Sequence, residues 1–205
     1  MTNAFIDESW LNAPSSDEYF LAVVSVITTD RRALKLIARR LKRAPKLRAK
    51  SEMKASVTPP QLVRKLLGAL ASSPDISIVA AIWHGKRSEV RDHEALYQAL
   101  VGRCALLTVR RSPRIDLHID KRYTNLDQQR ELERAIRESI AIVPGNIVRV
   151  FQEESHVTPE LVAPDFVAWA LTQRYCRANG EFYNLIRTKI AHFDDLSRQK
   201  KSGSP

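Results

Sequence analysis

Residues 76–83 read ISIVAAIW, Ile76 to Trp83, an apolar run broken only by one serine. A strand with one wet face alternates apolar and polar residues; a run this continuous expects cover on both faces. That points to a central strand with helices above and below it. Upstream, Tyr19 to Thr28 (YFLAVVSVIT) is rich in β-branched and aromatic residues and reads as another buried strand. Thr2 to Glu8 reads as a short strand before it, joined by a polar loop from Asn12 to Asp17, so the two form a hairpin. Downstream, Arg114 to Asp120 alternates strictly: Ile115, Leu117 and Ile119 face one way, and Asp116, His118 and Asp120 the other. Asn146 to Phe151 reads as the last strand.

Helical patterns fall between these strands. Asp30 is placed to cap a helix from Arg31 to Arg43, with Leu34, Ile37, Ala38 and Leu41 as its apolar stripe. Lys46 to Ser56 is a basic connector. Thr58, followed by Pro59, Pro60 and Gln61, opens a second helix. Ser88 is expected to cap a long helix through Leu107, and Thr124 with Asp127 a capping box for the next. Helices from about Pro164 to Arg177 and Phe182 to Ile190 close the chain. The order β-β-α-α-β-α-β-α-β-α-α predicts an α/β fold, a mixed β-sheet flanked by helices. One domain over residues 1–196 is expected, then a disordered basic tail over 197–205.

Lys and Arg number 33 against 23 Asp and Glu, a formal net charge of +10 in 205 residues. Such an excess favours an anionic partner, most commonly nucleic acid. No acid lies between Arg31 and Lys50, and Arg32, Lys35, Arg39 and Lys42 share the polar face of the first helix. A stripe of this kind can follow a phosphate backbone without reading sequence; it can also be a solvated helix face. Lys121 and Arg122 follow Asp120 directly and could reach a phosphate. The N-terminus lacks a basic leader with an apolar run, and no stretch is long and apolar enough for a membrane span. Cys104 and Cys176 form neither a metal-type spacing nor a disulfide framework, so a reducing cytoplasmic setting is expected. His84, His93, His156 and His192 have no assignable partner. Nucleotide-cradling glycine loops and serine-nucleophile elbows are absent. Self-association is left open.

Acids placed at strand ends are the candidate chemistry. Asp7 lies in the first strand beside Phe5 and Ile6, where a charge is costly unless paired or metal-bound. Alternation puts Glu8 on the opposite face. Asp120 ends its strand, where ligands of open α/β sheets gather. Asp165 falls in the first turn of a helix, as a dipole partner would. Glu52 sits in the basic connector beside Lys54, as an ion-pair partner would. Metal-assisted phosphodiester chemistry would unite them, with Mg²⁺ or Mn²⁺ held by hard carboxylate oxygens.

The ordered set FIDES (5–9), EMKAS (52–56), LHIDKR (117–122) and ESHVTPELVAPDFVAWA (154–170) resembles the family named domain of unknown function 3800. The resemblance runs from about Phe5 to Ala170, with further similarity around Phe182 to Ile190. It implies a ribonuclease H-like fold and a metal-dependent nuclease. It also implies an acidic metal site of Asp7, Glu52, Asp120 and Asp165, with Glu8 and Lys54 at matching positions. Trp10 stands where the family carries glycine, and Val162 and Pro164 replace its glutamine and alanine. The alternative is a non-catalytic nucleic-acid-binding or interaction protein of the same fold, in a mobile-element or phage-defence context.

Overall fold

The computed structural model describes residues 1–12, 17–43 and 53–199. Six strands form one mixed sheet in the order β5-β4-β1-β2-β3-β6. They are β1 (Thr2–Asn12), β2 (Glu18–Thr28), β3 (Ser77–Lys86), β4 (Arg114–Asp120), β5 (Ile147–Glu153) and β6 (Ile190–Asp195). β1, β2 and β3 pair antiparallel in sequence, while β4 joins β1, β5 joins β4 and β6 joins β3 in parallel. The helices are α1 (Arg31–Lys42), α2 (Pro60–Ser72), α3 (His93–Arg111), α4 (Leu126–Ile140), α5 (Val162–Cys176), α6 (Glu181–Ile186) and α7 (Leu196–Gln199).

The sheet separates two cores, and the strand pleat decides which residue joins which. Phe5, Phe20, Ala22, Val24, Ile78, Ala80 and Ile82 face α1, α2 and α5. Ala4, Ile6, Leu21, Val23, Val79, Ala81 and Trp83 face the other way, with Ile115, Leu117 and Ile119, toward α3 and α4. The run ISIVAAIW is thus apolar because both of its faces are covered. Burying a Leu, Ile or Phe side chain is worth about 1.5–3 kcal/mol, so each face is a strong constraint on register.

Several element ends differ from the sequence reading. Asp30 caps α1, accepting from the Ala33 amide at 2.9 Å. For α3 the cap is Asp92 rather than Ser88; its carboxylate accepts from the Glu94 and Ala95 amides, and Ser88 lies in a short 3-10 turn. Asn125 caps α4 in place of Thr124. Thr58 does not cap α2; its hydroxyl donates to the Lys54 carbonyl. The last helix expected, from Phe182 to Ile190, stops at Ile186, and the chain turns into the unforeseen β6. The proposed tail also begins in order, since Ser197 to Gln199 belong to α7. Lys200 to Pro205 fall outside the described residues.

Candidate active site

β1 and β4 bring two acids side by side. Their parallel register runs to Ile6 against Ile119, so Asp7 and Asp120 stand next in step. Neighbouring strands lie about 4.8 Å apart. Asp7 shares the pleat side of Phe5, and Asp120 that of Asp116 and His118, so both face α5. Asp7 is only 4% exposed.

Asp165 reaches the same place from the first turn of α5, where its Oδ2 accepts from the Ala55 amide at 2.8 Å. That bond ties the end of the connector onto the helix. The preceding residue, Lys54, lies with its Nζ 3.8 Å from Asp120 Oδ2. Asp7 responds to all of them. Burial pushes its carboxyl well above the usual range, and the charges of Glu8, Asp165 and Asp120 push the same way, against Lys54. Glu52 lies outside the described residues.

Glu8 points to the opposite side of the sheet, as alternation requires. Its amide donates to Asp7 Oδ1 at 2.7 Å. Burial raises its carboxyl to about 7, opposed by Arg122. Arg122 itself is turned inward. Its guanidinium stacks 4.2 Å from the Trp10 ring centre and 4.1 Å from that of Tyr97, with Tyr123 at 5.5 Å. Its two terminal nitrogens lie 3.8 Å from Glu8 and 3.7 Å from Glu94. Trp10 therefore forms one wall of an arginine box.

Among the basic residues, Arg32, Arg39 and Lys42 are exposed on α1 and Lys35 is half-exposed. Arg39 and Lys42 line a small cavity together with Met53 and Val162, next to the segments that carry Lys54 and Asp165. The C-terminal end of the stripe thus lies beside the segments that flank the acids. Lys121 lies 3.7 Å from Glu154. Arg31 is drawn away from the stripe: its Nε donates to Glu160, a fully buried carboxylate, at 2.8 Å.

The remaining polar face of β4 is internally paired. Asp116 accepts two bonds from Arg149, at 2.7 and 2.5 Å. His118 stacks between Phe5 and Phe151, and its Nε2 lies 3.1 Å from Asn3 Oδ1. Burial lowers the His118 imidazole below its usual value. The sequence reading missed Glu153, 3.2 Å from His118 Nδ1, and Glu160. Both lie in the glutamate-rich stretch around residues 153–160, a signal available in the sequence.

The donor set suits a hard divalent cation. Asp7, Asp120 and Asp165 offer only carboxylate oxygens, and they repel one another without a counter-charge. Lys54 stands at the edge of this group of acids.

No protein-family model matches the chain, and no curated protein does. Solved structures do. A chain in the structure of the PCNA:RNase HII complex from Archaeoglobus fulgidus superposes with a TM-score of 0.56 at 13% identity, covering 98% of this chain and 87% of that one. The ribonuclease H2 of Pyrococcus horikoshii OT3 gives a TM-score of 0.52 at 12% identity, covering 93% and 81%. What is shared at these identities is the fold. The chain has the α/β, mixed six-stranded architecture of the RNase HII structures, a ribonuclease H-like fold. No helix among the described residues is long and apolar enough to cross a membrane.

Proposed function

We propose that the chain is a Mg²⁺- or Mn²⁺-dependent nuclease that hydrolyses nucleic-acid phosphodiester bonds. The observation that carries this reading is the placement of Asp7 and Asp120 in step on adjacent parallel strands, with Asp165 brought in from α5. The ordered motifs shared with the family named domain of unknown function 3800 support it, as does the fold shared with proteins named for ribonuclease activity.

Bound divalent metal would supply an activated water and charge stabilisation for the leaving oxygen. Asp7, Asp120 and Asp165 would hold it, with Glu52 as a further candidate ligand. Lys54, beside Asp120, is placed to meet a phosphate oxygen. Arg32, Lys35, Arg39 and Lys42 would follow the backbone by charge alone, without reading bases. Lys121 borders the same edge. Arg122 acts from beneath, holding Glu8 and the loop end of β1 rather than reaching for phosphate.

The alternative, binding without cleavage, draws on Lys54, whose ammonium offsets part of the cluster's charge with no metal bound. Cleavage assays on single- and double-stranded DNA and RNA, with Mg²⁺, Mn²⁺ or EDTA, decide between them. Metal-dependent cleavage that Asp120→Asn abolishes supports the nuclease. Binding with no cleavage of any substrate leaves the alternative.

A further inference from the structure

The acidic cluster uses the N-terminal end of α5. The other end of that helix meets a second group of donors with different chemistry. Cys176 is the last residue of α5, Glu18 the first of β2, and His84 lies near the end of β3. The register pairs Phe20 with His84 and Glu18 with Lys86, so Glu18 and His84 are diagonal neighbours on one face of the sheet. It is the face that α5 crosses, where Phe20 and Ile82 share a core with Leu171.

Three elements therefore deliver a carboxylate oxygen, an imidazole nitrogen and a thiol sulfur to one point. Ligand atoms of the three residues all lie within 4.8 Å of one another. His84 Nε2 is 3.0 Å from Glu18 Oε1, and the Cys176 thiol hydrogen-bonds Glu18. All three residues are half-buried. Phe20 and Tyr175 wall the imidazole, with ring centres 5.6 and 6.3 Å away. His84 and Tyr175 also line an open cavity of about 630 Å³, shared with Asp195 and Arg198.

We propose that Glu18, His84 and Cys176 form a second metal site, for a borderline-soft divalent ion of the Zn²⁺ type, with a fourth position open to this cavity. Bonds of about 2.0–2.3 Å in a tetrahedron set donor atoms roughly 3.3–3.8 Å apart, a small adjustment from the separations present. Thiolate and imidazole favour Zn²⁺ or Co²⁺, whereas Mg²⁺ prefers the all-oxygen cluster. The two sites are distinct. Asp165 and Cys176 lie roughly 16 Å apart along the helix axis, too far for the ~4 Å spacing of a two-ion centre. On coordination the Cys176 thiol releases its proton to solvent and the sulfur binds the ion; no oxidant is involved. The ion would tie β2, β3 and α5 together.

The test uses the full chain, kept reduced by a phosphine, stripped of metal and titrated with Co²⁺ and then Zn²⁺. One equivalent of Co²⁺ should produce a thiolate-to-cobalt charge-transfer band, which Zn²⁺ then displaces. Cys176→Ser should abolish the band. His84→Gln and Glu18→Gln should weaken binding by about tenfold or more, as loss of a ligand or its support does. Asp120→Asn should leave the band intact, which separates this site from the acidic cluster. Zn²⁺ should raise the melting temperature of the wild type and not of Cys176→Ser. Should Cys176→Ser fail to fold, the Gln variants carry the same comparison. Absence of a thiolate band at one equivalent, a band that survives Cys176→Ser, or Gln variants that bind Co²⁺ as tightly as the wild type overturns the proposal.

Discussion

Asp7 and Asp120 stand in step on adjacent parallel strands and face the same helix. Two carboxylates so placed, one of them buried, oppose each other when no cation lies between them. Replacing either by Asn removes that repulsion while keeping shape; at Asp7 the amide oxygen can still accept from the Glu8 amide. Asp7→Asn and Asp120→Asn should each leave stability unchanged or slightly raised, and lower cleavage by several orders of magnitude. Mg²⁺ should raise the melting temperature of the wild type by mass action and do so less for either variant. Thermal melts with and without metal, run beside cleavage assays, check this. A plainly destabilised Asp120→Asn with no metal response in the wild type would mean a structural pair.

The basic stripe makes a prediction about salt. Changing Arg32, Lys35, Arg39 and Lys42 together to alanine should weaken binding to duplex and flatten its salt dependence. The slope of log K against log salt should fall by up to about 3–4, near 0.9 per lost phosphate contact. Folding should survive, because α1 packs through Leu34, Ala38 and Leu41 and alanine is a good helix former. Fluorescence anisotropy across a salt series is the measurement. Unchanged binding removes α1 from the interface.

Much of this architecture was legible because its signals are local. The doubly apolar run 76–83 and the alternating run 114–120 each carry their environment in their own pattern. So does an acid placed at a strand end, which is why Asp7 and Asp120 stand out. β6 was not legible: it is an edge strand, half of whose residues are exposed, and its place depends on pairing with β3 and on the Arg103–Asp194 ion pair. The inward turn of Arg122 was equally hidden, since Trp10, Tyr97 and Glu94 arrive from other elements. His84 lacked a partner in the sequence for the same reason, and Glu18 and Cys176 reach it only through the fold.

Arg31 and Glu160 give a stability prediction. Glu160 is fully buried, and one of its oxygens accepts from Arg31 while the other has no hydrogen-bond partner among the described residues. Arg31→Met leaves a buried carboxylate with its strongest neighbour removed. Breaking buried pairs costs about 3–5 kcal/mol, and the part-exposure of Arg31 reduces this to about 2–3 kcal/mol. The double variant Arg31→Met, Glu160→Leu should recover most of the loss. Urea unfolding of the two variants tests it; equal losses in both would show that the apolar pair packs no better than the stranded charge.

Asp116 predicts an acid-sensitive contribution. Hydrogen bonds from Arg149 hold its carboxyl below the ordinary aspartate value of 3.8. A depressed carboxylate contributes stability that is complete above the unfolded value and is lost as pH falls through the folded one. The wild type should therefore lose stability below about pH 4 more steeply than Asp116→Asn. Salt should shrink the difference, because Arg149 is largely exposed. Urea midpoints between pH 2.5 and 6 are the readout, and parallel curves for the two proteins would remove the pair from the acid limb.

Arg122 offers the cleanest separation of a structural from a binding role. Its position after Asp120 suggests a phosphate contact, yet its guanidinium lies among Trp10, Tyr97 and Tyr123 and between Glu8 and Glu94. Lysine keeps the positive charge but loses the flat face that stacks and the fork that spans two carboxylates. A partly desolvated cation–π contact is worth about 1–2 kcal/mol, so Arg122→Lys should lower the melting temperature by roughly 3–6 °C. Nucleic-acid affinity and its salt slope should hardly move, since no phosphate contact is lost. Trp10→Gly, which removes one wall of the box, should cost stability in the same direction, and combining it with Arg122→Lys should cost less than the sum. A phosphate-binding Arg122 predicts the reverse: a melt like the wild type's, with the Trp10 substitution adding independently and Arg122→Ala cutting affinity and the salt slope. Melting curves and salt-dependent binding for the single and double variants tell the two roles apart.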